Sequence, residues 1–334
     1  IMEIFFLTLF VFLFNFIIYL KFEIISKNFI LFDKPDGKLK KHSKPASLIG
    51  GLIILINLYL ITFFLKLLNL SNSIFDDNFV YMLILLGSLF YIIGLIDDLK
   101  NLKPNKKLLF LVISIILVIF LFPETKLEHI KISFLNQNYF FKYEFFFLVL
   151  LFALLANAMN MFDGINLQLI LFTFFVFIIF IIKGFIPVFF ILFLICFIFL
   201  GLLNFQNRVF LGDGGAYLVS AIVGCTFIFQ YKNFDNFLYA DQVFIILVIP
   251  ALDMLRLFII RLLNKKHPFK GDLNHLHHIV IRFTKNNTLT VLITITLCIF
   301  PTLLFFLDIK TYLIFIVTLI FYFGLIAYFK AKTK

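Results

Sequence analysis

The chain has 334 residues, 63% of them hydrophobic and only 14% charged, with a mean hydropathy of +1.10; a soluble domain carries about 45–50% apolar and about 25% charged residues. So little polar surface cannot cover a soluble core, which excludes a water-soluble fold and leaves lipid as the main solvent. The net charge of +11 then belongs to loops facing anionic lipid rather than to a nucleic-acid-binding face.

A membrane-spanning helix needs about 20 apolar residues. Eleven segments qualify, some of them short: 3–20, 49–68, 79–96, 108–122, 144–159, 166–182, 186–203, 211–230, 242–263, 287–307 and 311–330. The expectation is one all-α polytopic membrane domain over residues 1–334 with about eleven transmembrane helices. The first segment lacks a basic flank and a small-residue cleavage site, and Lys21 follows it, so it reads as a retained helix and not a signal peptide. Loops on one side carry 20 lysines and arginines against 6 on the other. The richer side is cytoplasmic by the positive-inside rule, which places the N-terminus outside and the C-terminus in the cytoplasm. Segment 123–143 is a longer outside loop with room for a short hairpin. Cys196, Cys225 and Cys298 fall in apolar stretches without metal or disulfide spacing. The 53 Phe residues read as lipid-facing and interhelical packing.

The polar residues are unevenly placed. His42, Asp97 with Asp98, Lys107, the run from Asn157 to Asn166, Asn204, Asp213 and the stretch from Asp253 to His278 all fall on the basic side. Asp97 and Asp98 end the third span; adjacent helical positions point in different directions, so only one can face a given partner. One carboxylate can act as a base or orient a phosphate while the other supports a lysine or metal, with Lys107 closing the pocket. In NAMNMFDGINLQ, Asn157, Asn160, Asp163 and Asn166 recur every three residues beside a break at Gly164. Amides and a carboxylate there can read a nucleobase edge and supply oxygens to a hard cation. In FLGDGGAY, glycines flanking Asp213 allow a diphosphate and its magnesium to approach the backbone, which makes Asp213 the best metal ligand. Asp253 and Arg256 can pair on one helix face, and Arg261 reaches the same region two turns on. His275, His277 and His278 lack zinc spacing and read as phosphate donors.

Taken in order, these motifs resemble the membrane-bound polyprenyl-phosphate sugar-1-phosphate transferases, which include the UDP-GlcNAc undecaprenyl-phosphate enzymes and the phospho-MurNAc-pentapeptide translocases. Asp97 and Asp98 match the family's paired aspartates, Lys107 its following lysine, and Asn157, Asn160 and Asp163 its NxxNxxDG element. Asp213 matches the FxGDxG aspartate, Asp253 and Arg261 the DxxxxxxxR spacing, and His275, His277 and His278 the HxHH loop. The chain departs from the pattern at Leu48, where the family has arginine, although His42 and the following two glycines remain. It lacks the second glycine after Asp163 and the usual proline before Asp213, near Asn204. GDGGAY and HLHH look closer to the N-acetylhexosamine branch.

The resemblance implies transfer of a sugar-1-phosphate from a UDP-sugar to undecaprenyl or another polyprenyl phosphate, with release of UMP, as the first membrane step of envelope glycan synthesis such as O-antigen and lipopolysaccharide. It implies magnesium, or manganese in its place, on Asp213 and Asn160, with Asp97, Asp98 and Lys107 catalytic. Asn157, Asp163, Asn166, Asn204, Arg261, His275, His277 and His278 would bind substrate, Asp163 and Asn166 at the uridine. The enzyme would sit in a bacterial inner membrane with a cytoplasmic active site, and a homodimer is compatible with it. A secondary transporter is the alternative of a different class, but its sites lie near the midplane and often within internal repeats, whereas here the charges gather at one surface and no repeat is seen.

Overall fold

The computed structural model describes residues 2–29, 32–33, 46–68, 77–135, 138–140, 142–233, 238–269 and 272–333; His42 lies outside them. In chain order the helices are α1 (Met2–Leu20), α2 (Phe22–Phe29), α3 (Gly50–Leu67), α4 (Asp77–Lys100), α5 (Pro104–Leu121), α6 (Glu144–Phe162), α7 (Gln168–Ile182), α8 (Pro187–Phe205), α9 (Gly212–Asn233), α10 (Ala240–Leu263), α11 (Leu276–Thr284), α12 (Asn287–Phe306) and α13 (Thr311–Lys332). Among the described residues, ten helices are long and apolar enough to cross a membrane. The shorter apolar α7 coincides with the segment expected at 166–182. The protein is an all-α polytopic membrane protein. Among the described residues the strands are four short pieces: β1 (Phe32–Asp33) pairs with β2 (Ala46–Ser47), and β3 (His129–Lys131) pairs antiparallel with β4 (Asn138–Phe140). The second pair is the hairpin expected in segment 123–143.

Helix α9 is the axis of the bundle, with 89% of its spanning window buried and packed on α3, α4, α6 and α7. It is apolar almost all round, as a helix enclosed by other helices must be. Small residues let it approach α4 backbone to backbone: a Cβ on Gly94 would overlap the Asp213–Gly214 peptide. Peripheral α1 is only 17% buried; Leu7 and Val11 face the core, and most of its other Phe and Leu side chains are exposed toward lipid. Polar side chains inside the apolar layer are satisfied locally. Asn15 and Asn57 exchange amide hydrogen bonds of 2.8 and 3.1 Å between α1 and α3, and each also donates to the carbonyl four residues back. This removes the cost of an unpaired amide in lipid.

Side-chain contacts sort the helix termini into two ends. At one, the hairpin is fastened by Lys131 N–H donating to Tyr231 Oη (2.6 Å), while Asp241 at the start of α10 accepts from Ser133 and from Thr311 at the start of α13. At the other, the C-termini of α4, α6, α8 and α10 meet the N-termini of α5, α7 and α9, and almost all the ionisable residues of the interior gather there.

Candidate active site

The first wall is built where α4 stops. Successive helical residues point about 100° apart, so the adjacent aspartates serve different neighbours. Asp97 turns to α5, accepting the Leu102 N–H at 2.7 Å and pairing with Lys107 Nζ. Asp98 turns to α9 and accepts the N–H groups of Asp213 (3.0 Å) and Gly214 (3.3 Å), a carboxylate at the positive end of a helix dipole. Pro104 opens α5 at a position where a missing N–H costs nothing. That sets Lys107 in the first turn, where Nζ lies 2.6 Å from Asp213 Oδ2 and 5.2 Å from the Tyr217 ring centroid. With its amide oxygen toward Lys107 Nζ (3.2 Å), Asn160 donates to Asp213 Oδ1 at 2.9 Å. Two carboxylates, Asp97 and Asp213, therefore share one lysine, with an amide oxygen alongside and Asp98 on the neighbouring backbone.

The second wall comes from α10, α11 and the loop between them. Buried Asp253 accepts from Arg256 Nη2 (2.7 Å), Tyr322 Oη (2.7 Å) and the Leu276 N–H (3.0 Å), and its other oxygen faces His275 Nδ1 at 3.1 Å. Arg261 donates through Nε to Asp272 (2.8 Å) and through Nη1 to the Pro268 carbonyl (2.6 Å), while its Nη2 is buried without a partner among the described residues. Burial raises the Asp272 pKa, but the bonds from Arg261 and the Asn274 N–H outweigh it and hold the carboxyl below the usual range. His277 is 1% exposed, stacks on His275 at 5.4 Å and touches His278 at 4.2 Å. Burial, then the charges of His278 and His275, push its pKa well down, so the ring is neutral, and neither ring nitrogen has a partner among the described residues. Gly164 makes this approach feasible, because a Cβ there would overlap the His277 ring.

Between the walls lies a cavity of about 480 Å³. Lys107, Asn157, Asn160, Asp163 and Asp213 line it on one side, and Arg261, Asp272, His275, His277 and His278 on the other. Asp97 and Asp98 stand behind this lining. Asp163 follows the last turn of α6, and burial together with the charge of Asp98 pushes its pKa up to about 7. Asn157 donates to the Ala153 carbonyl of its own helix at 2.7 Å. Asn166 and Asn204 are set apart from the cavity. Asn166 donates to the Asn204 carbonyl (3.0 Å) and to Asn207 Oδ1 (2.6 Å), while Asn204 accepts the Leu167 N–H (2.6 Å) and donates to the Val209 carbonyl (2.7 Å). They tie the turn before α7 to the end of α8. Sequence reasoning did not single out Tyr217, Tyr322 or Asp272. Asp272 carried a usable signal, a carboxylate three residues before His275 in a basic loop, whereas the two tyrosines sit in apolar helices among many aromatics.

The bundle is a polytopic membrane protein that collects lysine, arginine, histidine and carboxylates around one cavity at one end. Residues 80–230, from α4 through nearly all of α9, match Glycosyl transferase family 4. The undecaprenyl-phosphate alpha-N-acetylglucosaminyl 1-phosphate transferases of Salmonella typhi and Salmonella typhimurium are each 32% identical to the chain over 98 residues. That segment is 29% of this chain and spans 26% of the length of those relatives. Both findings support the family to which the ordered motifs pointed, the membrane-bound polyprenyl-phosphate sugar-1-phosphate transferases.

Proposed function

We propose that the chain transfers N-acetylhexosamine-1-phosphate from a UDP-sugar to undecaprenyl phosphate, or another polyprenyl phosphate, releasing UMP at the cytoplasmic face of a bacterial inner membrane. The observation that carries the reading is the cavity itself, which joins the Lys107–Asp213 pair to Arg261 and three histidines. Both substrates are anions, so a site for them must supply buried donors. Arg261 Nη2 and the His277 ring nitrogens are buried without partners among the described residues, and the Arg261 N–H and the one N–H of the neutral His277 ring are donors an entering phosphate would satisfy. The choice of N-acetylhexosamine is supported by the GDGGAY and HLHH forms and by the relatives named above.

In the reaction an oxygen of the polyprenyl phosphate attacks the sugar-bearing phosphorus, a new P–O bond forms, and the bond to UMP breaks with its electron pair leaving on UMP. A phosphate monoester has a second pKa near 6, so the nucleophile is ionised without much help. Asp97 and Asp98 then act chiefly by holding Lys107 and the start of α9 in place, and Lys107 and Arg261 stabilise charge on the transferred group. A carboxyl titrating near 7, as Asp163 does, offers a uracil edge both a donor and an acceptor. Asn166 supports that loop through Asn204.

The residues fit a magnesium ion. The Asp213 carboxylate and Asn160 amide oxygen converge at the Lys107 ammonium. Among the described residues no three His, Cys, Asp or Glu side chains form a closed metal cage, and magnesium needs none, because one or two carboxylates and substrate phosphates suffice. When bound, it would offset the charge of the diphosphate and of departing UMP.

Purified protein in detergent, given undecaprenyl phosphate, magnesium and a panel of UDP-sugars, should release UMP only with a UDP-N-acetylhexosamine and only when lipid and metal are present. Failure with every UDP-sugar would overturn the reading. The proposed topology, eleven spans with the N-terminus outside, is checked by cysteine labelling. An impermeant reagent applied outside should reach Lys310→Cys and miss Asn274→Cys, and the reverse pattern would put the cavity on the wrong side for nucleotide-sugars.

A further inference from the structure

We propose that Asp253 is a positioning residue that sets the tautomer and ring orientation of His275 and so determines which nitrogen the cavity receives. The inference rests on the nucleotide-binding reading above for what enters the cavity, but its geometry stands apart from it. Asp253 is 3% exposed and sits a full wall behind the cavity lining. Every partner of its Oδ1 is a donor: the Arg256 guanidinium on α10, the Tyr322 hydroxyl on α13 and the Leu276 N–H at the start of α11. Arg256 is locked in turn, with Nε donating to Tyr322 Oη at 2.9 Å and Nη2 to the Asn274 carbonyl at 2.7 Å. The carboxylate can therefore neither rotate nor offer Oδ1 elsewhere, and Oδ2 is left facing His275 Nδ1 at 3.1 Å.

A carboxylate oxygen only accepts, so the proton of that bond belongs to Nδ1. The ring is held at both ends of its short reach, because the Leu276 N–H fixes the next residue of the backbone to the same carboxylate. Nε2 is then the nitrogen left for the cavity that His275 lines. His277, stacked nearly parallel on this ring with an interplanar angle of 10°, takes its orientation from it. One buried carboxylate thus orders the histidine wall through a chain of contacts, the way a second layer of bonds orients a functional imidazole in other sites. The charged and titratable groups around His275 are Asp253 and Arg256 from α10, Tyr322 from α13, His277 and His278 from α11, and Asp272 from the loop.

The first measurement needs no change at Asp253. Long-range proton–nitrogen spectra of histidine-labelled protein in detergent, with the His275 signals identified by their loss in His275→Ala, should show a protonated, hydrogen-bonded Nδ1. A proton on Nε2 alone would overturn the proposal, whether or not the protein binds nucleotide. The second is a double-mutant cycle read by calorimetry of UMP binding. His275→Ala and Asp253→Asn should each lower affinity about tenfold, the size of one hydrogen bond that the Nε2 lone pair accepts from a hydroxyl or N–H of the nucleotide, and together no more than His275→Ala alone. Asn presents an NH2 where Oδ2 stood, so Asp253→Asn should also move the ring proton to Nε2. Additive losses in the cycle, or an unmoved tautomer in Asp253→Asn, would leave Asp253 with a role in helix packing only. If Asp253→Asn does not fold, the spectrum of the parent decides. Absence of UMP binding in the parent with Nδ1 protonated would sink the nucleotide reading and leave the positioning intact.

Discussion

The two walls of the cavity use carboxylates in opposite ways. Around Lys107, Asp97 and Asp213 share one ammonium while Asp98 is held by the backbone N–H of Asp213, so the wall carries more negative charge than its own cation offsets. Around Asp253, a single carboxylate collects a guanidinium, a hydroxyl, a backbone N–H and an imidazole. A surplus of buried negative charge is costly in a low-dielectric site until another cation or a proton arrives. A carboxylate with four partners has nothing more to gain. The first wall is therefore arranged to receive and the second to hold, although both are written in the same residue types.

The largest expected effect comes from the receiving wall. Asp213→Asn should cut turnover at saturating magnesium roughly 100-fold or more and leave the melting temperature near that of the parent, since it relieves charge crowding. Near-normal activity with unchanged metal dependence would break the contrast between the walls. Asp163, between the two, comes next. Losing a buried bond to a uracil edge costs about 1–3 kcal/mol, so Asp163→Ala should weaken UMP binding about 5- to 150-fold, while Asp98→Asn should act mainly on turnover. Asp163 also carries a pH signature. Its carboxyl is raised from 3.8 to about 7 on folding, so the folded state binds the extra proton. The stabilisation is complete below about pH 4 and is lost as pH rises through about 7. Melting curves of the parent should fall across that window more steeply than those of Asp163→Asn.

The holding wall is probed by Gly164→Ala, which places a methyl group in the His277 ring. Overpacking of this kind costs about 1–3 kcal/mol, and calorimetry should show a matching loss of stability together with weaker UMP binding. The smallest effect belongs to Asn166→Ala. It removes bonds to Asn204 and Asn207 away from the cavity, worth about 0.5–1.5 kcal/mol of stability, and should change UMP affinity little. A selective loss of UMP affinity with unchanged melting would return Asn166 to the nucleotide.

The apolar helices were readable because lipid imposes a hydropathy rule on every residue of a crossing segment: all eleven expected segments coincide with helices, ten of them long enough to cross. The site was readable in pieces. Local spacing brought Asp253 and Arg256 together on one helix face, as the i, i+3 geometry required. It could not bring Lys107 to Asp213, 106 residues apart, which followed only from the resemblance. The division of labour between Asp97 and Asp98 was anticipated in kind, one partner each, but which partner belonged to which depended on how α4 crosses α9. Tyr322 was invisible, because a tyrosine in an apolar helix near the end of the chain looks like its neighbours until α13 lies against α10. Asn166 and Asn204 illustrate the converse, motif residues whose bonds close a turn instead of lining the cavity.

The backbone contact of α4 with α9 at Gly94 has a mechanical consequence. Two helices touching main chain to main chain have no side chains between them to flex, so the seam is stiff, and Asp97, Asp98 and Asp213 ride on it as a single rigid block. The opposite wall is joined to that block through longer side chains and loops, such as His267 reaching Asn105. Compliance is thus unequally shared. Relative motion of the two walls falls to α10, α11 and their loop, while the acidic block keeps its internal spacing.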